Sequence, residues 1–283
     1  MSSIEKHAQQ QSPHALSVDL WWVQLDESIT PALLAQYRRL LSPQELQQAE
    51  RFRSQADRLR AIVGRVLMRW ALSQYRQIEP AEWQFAATVL GKPYIQHPQG
   101  LDLQLNLSHS RDVTACAITI DHNVGVDVEA MDRDARYTRI AERFFAPQEA
   151  QMLHSLPADK QAETFIRLWT LKEALLKACG RGLSVPLDCM CFSLTDDRAA
   201  LVRLHDPWLG DPADWQLAEV RVQCAGSPSD ATAYHIAVAV RSRRPLRLSI
   251  RQTVPLQWIA DVHTLPPDGA MGRISAAQLQ QRA

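Results

Sequence analysis

The run Leu101-Asp-Leu-Gln-Leu-Asn-Leu107 places a leucine at every second position. Alternation of this kind sets the leucines on one face of a β-strand and the polar residues on the other. The strand runs into Ser108-His109-Ser110. Val113–Ile120 and Val124–Glu129 are two further strand-like runs, separated by Asp121-His122-Asn123, and together they read as a hairpin. In that register Asp127 falls opposite about Ala117 and Glu129 opposite about Ala115, so small side chains would leave an open bay around two carboxylates. More strands are predicted at 18–25, 190–194, 216–223, 234–240 and 246–250. Helical periodicity covers 45–75, with Ser42 as cap, Pro43 at the first helical position and a break near 54–56. It returns at 149–153 and 162–179, where Gly180 and Gly182 stop it.

These elements come in the same order twice. Each half has a strand, then Ser42-Pro-Gln-Glu45 or Ala146-Pro-Gln-Glu149, then a long helix. The pattern predicts an α+β fold built as a pseudo-twofold pair of similar α/β halves that meet near 110–125. The expected division is a flexible N-terminal tail (1–16), an N-terminal half (17–118), a C-terminal half carrying the chemistry (119–263) and a flexible C-terminal tail (264–283).

Charge adds little. The 283 residues include 31 Lys+Arg and 31 Asp+Glu, a balance that gives no argument for nucleic acid or a membrane surface as partner. No apolar run is long enough to span a bilayer, and the polar, Gln-rich start lacks the core of a signal peptide. The five cysteines are scattered without the paired spacing of a zinc knuckle, as expected of reduced thiols in a cytoplasmic protein.

The acidic strand carries the candidate chemistry. Asp127 and Glu129 share a face, and at roughly 6–7 Å with an effective dielectric of ~20 their repulsion is about 2–3 kcal/mol. A cation is therefore expected between them. On the helix 165–180, Glu173 and Lys177 stand side by side at i and i+4, and Lys172 lies at the edge of the apolar stripe. Taken alone, the first pair is a solvated strand face and the second a surface ion pair of about 0.2–0.5 kcal/mol. Together, three carboxylates on rigid elements beside two lysines suit Mg²⁺, whose open positions take substrate phosphates, and so a phosphoryl-transfer site.

"VGVDVE" (124–129), "RFFAPQE" (143–149) and "FIRLWTLKEALLK" (165–177), in this order and spacing, resemble the signature of the 4′-phosphopantetheinyl transferases of the surfactin-synthetase-activating type. "LGKPYI" (90–95) and "LNLSHS" (105–110) are similar to that family's upstream motifs, and the likeness covers about residues 40–195. The resemblance implies a pseudo-dimeric monomer that moves 4′-phosphopantetheine from coenzyme A to a serine of an apo acyl, peptidyl or aryl carrier protein, leaving 3′,5′-ADP. It implies Asp127, Glu129 and Glu173 as ligands of Mg²⁺, with Mn²⁺ as an alternative, and Glu173 as general base. Lys177, with Lys172 as a second candidate, would hold the pyrophosphate. Ser108, His109, Arg60 and Lys92 would contact coenzyme A.

The chain also departs from the family pattern. Glu45 and Gln48 stand where many members carry lysines for the coenzyme A 3′-phosphate, and Arg65 follows Gly64 where an aspartate is common. Other readings of the same acids are a Mg²⁺-dependent phosphohydrolase or nuclease, a Ser108/His109 hydrolase, and a non-catalytic carrier-binding module. Arg133, Arg136, Arg139 and Arg143, beside Phe144 and Phe145, form the expected basic and apolar rim for an acidic carrier.

Overall fold

The computed structural model describes residues 15–131, 137–181, 184–196, 198–224, 233–260 and 262–265, and the backbone of 272–275. The long alternating runs become the strands of two sheets. One joins β4 (Leu103–Ser110), β5 (Val113–Ile120), β1 (Leu16–Gln24) and β11 (Leu246–Val254) in that order. The other joins β6 (Val124–Ala130), β10 (Ala233–Arg241) and β9 (Trp215–Gln223).

The alternation decides the layering. Val18, Leu20 and Trp22 of β1, Val124, Val126 and Val128 of β6, and Ile236 and Val238 of β10 meet in one buried core between the sheets. Each such side chain contributes about 1.5–3 kcal/mol relative to exposure. The in-between positions face outward, against helices. Trp21, Val23, Cys116 and Ile118 pack under α1 (Pro31–Leu40), α2 (Pro43–Glu50) and α3 (Gln55–Ser73). Ala237 and Ala239 pack under α4 (Tyr137–Phe144), α5 (Pro147–Ser155) and α6 (Ala158–Cys179). The result is two sheets face to face with a helical layer outside each. The expected division at 118/119 is corrected in one respect: β11, from the stretch assigned to the C-terminal half, pairs with β1 in the N-terminal sheet.

The repeated Pro-Gln-Glu has a common structural purpose. Glu45 closes a capping box on α2 with Ser42, and its Oε2 also accepts from Arg69 of α3 at 2.7 Å. Glu149 Oε2 accepts from the Ala146 backbone at the start of α5 and pairs with Lys172 of α6 at 2.7 Å. In each half a cap glutamate thus fixes a short helix to a buried cation on the long one.

A second sequence expectation is corrected. β5 and β6 do not form a hairpin: β5 pairs with β4 and β1, whereas β6 pairs with β10, placing Asp127 opposite Ala237 and Glu129 opposite His235. Asp121, at φ 60°, turns the chain from one sheet to the other. The expected open bay of alanines around both carboxylates is not formed: Asp127 faces Ala237, buried under the helices, and Glu129 faces His235. β2 (Gln84–Ala87), β3 (Pro93–His97), β7 (Met190–Leu194) and β8 (Ala199–Leu204) form two small hairpins. Within the stretch expected as a C-terminal tail, β13 (His263–Leu265) pairs with β11 and β14 (Gly272–Ser275) with β9, because both strands had a free edge to satisfy.

Candidate functional site

β4 and β6 are the neighbouring edges of the two sheets, and polar side chains join them. The residues Asn106, Ser108 and Ser110 of β4 all point at β6, as period-two alternation requires. Asn106 Oδ1 accepts from the Val126 backbone at 2.8 Å, Ser108 Oγ donates to Asp127 Oδ1 at 2.9 Å, and Ser110 Oγ donates to Glu129 Oε2 at 2.9 Å. Ser110 Oγ also accepts from the Ala130 backbone at 3.2 Å. The site residues therefore lie on the seam between the two halves.

α6 closes over this seam. Gly125 permits the approach: a Cβ there would lie 1.9 Å from the Ala174 carbonyl oxygen. Lys177, half-buried on the flank of α6, reaches Asp127 Oδ1 at 2.6 Å and Ser108 Oγ at 2.9 Å. This ammonium places one positive charge beside the acidic strand, on Asp127. Asp127 is buried, and its second oxygen, Oδ2, is buried without a hydrogen-bond partner among the described residues.

The other two carboxyls are less compensated. Burial, then the charge of Asp127, pushes Glu129 up to about 7, against the opposing effects of Ser110, Lys177 and Trp169. Burial, then Asp127, likewise raises Glu173, with Lys177 opposing. These shifts place Asp127, Glu129, Glu173 and Lys177 in one electrostatic neighbourhood. Among the described residues, no three His, Cys, Asp or Glu side chains form a ready-made metal cage. The orphan Asp127 oxygen and the raised Glu129 and Glu173 carboxyls nevertheless suit a hard cation that would add positive charge beside Lys177.

The remaining candidates divide. His109 lies on the other face of β4 from Ser108, lining a cleft of about 560 Å³ with Arg51, Phe52, Arg60 and Arg65. Burial, then the charges of Arg60 and Lys177, lowers its pKa. Arg60 is held by Asp57 at 2.5 Å and the Arg111 carbonyl at 2.9 Å, with its Nε buried and unpartnered. Glu45, engaged by its cap and Arg69, and Gln48 border the same cleft.

Two expectations are corrected. Lys172 is fully buried, paired with Glu149 and donating to the Leu187 and Met190 carbonyls at 2.9 and 2.5 Å. It also lies over the rings of Phe145 and Phe192 and cannot hold a substrate. Lys92 donates to the Val124 and Ala178 carbonyls at 3.2 and 3.3 Å, clasping the end of α6 rather than facing the arginine cleft. Burial lowers its pKa to about 8.

On the other side of the seam, Ser110, Arg111, Glu129, Tyr137, Phe165 and Trp169 border a cleft of about 330 Å³. The Tyr137 and Phe165 rings stack at 4.7 Å. Of the expected basic rim, Arg139 and Arg143 are exposed on α4, while Arg133 and Arg136 lie outside the described residues. Phe145 is buried in the aromatic stack rather than exposed. Ser110, Asn106 and Trp169 were missed in the sequence, although the phase of the "LNLSHS" alternation groups Asn106, Ser108 and Ser110.

Residues 123–239 match the family model of the 4′-phosphopantetheinyl transferase superfamily, and residues 29–120 match that of the 4′-phosphopantetheinyl transferase N-terminal region. The chain is 33% identical to the 4′-phosphopantetheinyl transferase HetI of a Nostoc species over 68% of its own length and 80% of that protein. It is 32% identical to a 4′-phosphopantetheinyl transferase of Bacillus subtilis, over 66% of this chain and 81% of the relative. The holo-[acyl-carrier-protein] synthase of Thermotoga maritima superposes on 44% of this chain and 64% of its own, at 20% identity and a TM-score of 0.32.

Proposed function

Because the chain belongs to the 4′-phosphopantetheinyl transferase family, we propose that it moves 4′-phosphopantetheine from coenzyme A to a carrier-protein serine at the seam of its two halves. The observation that carries this reading is the Asp127–Lys177–Ser108 network, flanked by an arginine-lined cleft on one side and an aromatic cleft on the other. Coenzyme A enters from the arginine side. Arg60 and Arg65 attract its phosphates, and His109 offers a ring nitrogen beside them. The carrier serine approaches from the aromatic side, with Arg139 and Arg143 facing its acidic surface.

The serine oxygen attacks the phosphorus that bears the pantetheine arm, and the bond from that phosphorus to the oxygen bridging to 3′,5′-ADP breaks. Glu173, whose carboxyl burial makes more basic than an ordinary carboxylate, accepts the serine proton as the new bond forms. Lys177 meets the charge that develops on the departing oxygen, while Ser108 keeps its ammonium aligned with Asp127. Asp127, Glu129 and Glu173 would hold Mg²⁺, which when bound neutralises the diphosphate as a Lewis acid. The residues assigned these roles all belong to one chain, and we read the enzyme as a monomer. Among the described residues no helix is long and apolar enough to cross a membrane. All five cysteines are free, and we read the enzyme as cytoplasmic.

Release of 3′,5′-ADP from coenzyme A, measured with a panel of fatty-acid, polyketide and peptide carriers, tests the proposal. Release should require an apo carrier and stop when its acceptor serine is replaced by alanine. Release of inorganic phosphate without a carrier would overturn it.

A further inference from the structure

Beside the acidic strand, buried between β10 and α6, lies a second polar cluster. Thr170 and His235 are 0% exposed and Glu219 is 2% exposed, so none of them can touch a substrate. His235 Nδ1 is hydrogen-bonded to Thr170 Oγ1 at 2.6 Å, and its Nε2 donates to Glu219 Oε1 at 3.0 Å. Arg167 grips the same carboxylate with two bonds, at 2.9 and 3.1 Å. Thr170 Oγ1 also bonds the Ile166 and Arg167 carbonyls of its own helix at 2.8 and 3.1 Å, so each buried polar group of the cluster is paired, as burial requires.

Its position in the fold gives it a consequence for the site. His235 pairs directly with Glu129 across β10 and β6, and Thr170 stands one helical turn before Glu173 on α6. On the other side of Glu173, α6 rests on Gly125, where a Cβ would lie 1.9 Å from the Ala174 carbonyl. Glu173 is thus held between two anchors. The Gly125 contact sets how closely α6 approaches β6. It does not fix rotation or sliding of the helix, because a glycine presents a flat surface. Directional bonds do, since they tolerate little displacement: the Arg167–Glu219 pair holds the turn before, and the Thr170–His235 bond is the one nearest Glu173 on that side.

We propose that Thr170 and His235 are a positioning pair that sets the register of α6 on the sheet and thereby places Glu173 against Asp127 and Glu129. This inference rests on the transfer reading above. An ångström of displacement at reacting groups costs up to about 100-fold in rate, so the pair governs kcat while leaving the arginine cleft, and hence the KM for coenzyme A, largely alone.

The test compares the full-length wild type, Thr170→Val and Thr170→Ser in transfer to an apo carrier. Wild-type transfer tests the function itself; the variants test the positioning pair. Thr170→Val should lower kcat by about 10- to 100-fold with KM for coenzyme A changed less than about twofold, and Thr170→Ser should recover most of the rate. Thermal midpoints, measured in parallel, separate misplacement from unfolding. Should Thr170→Val fail to fold, His235→Asn and His235→Gln carry the test. Asn reproduces the bond to Thr170 and Gln the bond to Glu219, so Asn should be the faster of the two. A folded Thr170→Val enzyme with wild-type kcat, equal losses in kcat and affinity, no rescue by serine, or Gln at least as fast as Asn would each overturn the inference.

Discussion

Lys177 Nζ lies 2.6 Å from Asp127 Oδ1, and the same ammonium lies 2.9 Å from Ser108 Oγ. One cation on α6 therefore ties together the edge strands of both halves. Replacing it tests whether this is a catalytic contact or a fastening. Lys177→Met should lower the transfer rate by about 100-fold or more, the range for losing a donor aimed at developing charge. The thermal midpoint should fall as well, because Asp127 would be left a buried carboxylate without its cation. A large loss of stability with little loss of rate would make Lys177 structural.

Asn106 has no contact with a carboxylate, yet it satisfies a buried backbone donor of the acidic strand. Asn106→Ala should destabilise the chain by about 1–3 kcal/mol, the cost of leaving the Val126 N–H unpaired. Denaturant unfolding at pH 7 measures this. An unchanged midpoint would mean that the seam admits water.

Lys172 and Arg60 were grouped in the sequence as coenzyme A contacts, and the structure separates them. Lys172→Met should cost about 3–5 kcal/mol by leaving Glu149 a buried, uncompensated charge, while the enzyme that remains folded keeps its KM for coenzyme A. Arg60→Met should raise that KM with little change in thermal midpoint. Unfolding and steady-state kinetics on the two variants decide the assignment, and the opposite pattern would reverse it.

Glu219 gives a pH prediction. Burial alone would raise its carboxyl, but hydrogen bonds from His235 and Arg167 and their charges outweigh it and hold it at about 2. A carboxyl depressed on folding contributes stability that is present above its ordinary value near 4.5 and is lost as pH falls toward 2. The linkage is worth on the order of 3 kcal/mol. The difference in unfolding free energy between wild type and Glu219→Gln should therefore shrink between pH 5 and pH 2.5. A difference that stays constant over that range contradicts the assignment.

The sequence made the two halves and the acidic strand legible because both are periodic. Alternation in β4, β6 and β10 survives any tertiary arrangement, and the Pro-Gln-Glu repeat marks helix starts by local capping alone. Which strand lies beside which was not legible. The three-residue link at 121–123 serves a hairpin or a crossing between sheets equally well, and only the shared core of Val18, Val126 and Val238 selects the crossing. Lys172 was misread for a related reason. Its position beside the apolar stripe of α6 gave no sign that Glu149, distant in sequence, would draw it inward. His235 and Glu219 could not be found at all, since an isolated polar residue on a strand carries no mark of the partners it will meet.

The most direct test of the central assignment is the intact mass of one apo carrier protein, followed in time with coenzyme A and Mg²⁺, for the wild type and for Glu173→Gln. The account predicts that the wild type adds a single phosphopantetheine to the acceptor serine, while the folded glutamine variant is slower by about 100-fold or more. A glutamine variant that modifies the carrier at the wild-type rate, or a wild type that leaves its mass unchanged, would contradict it.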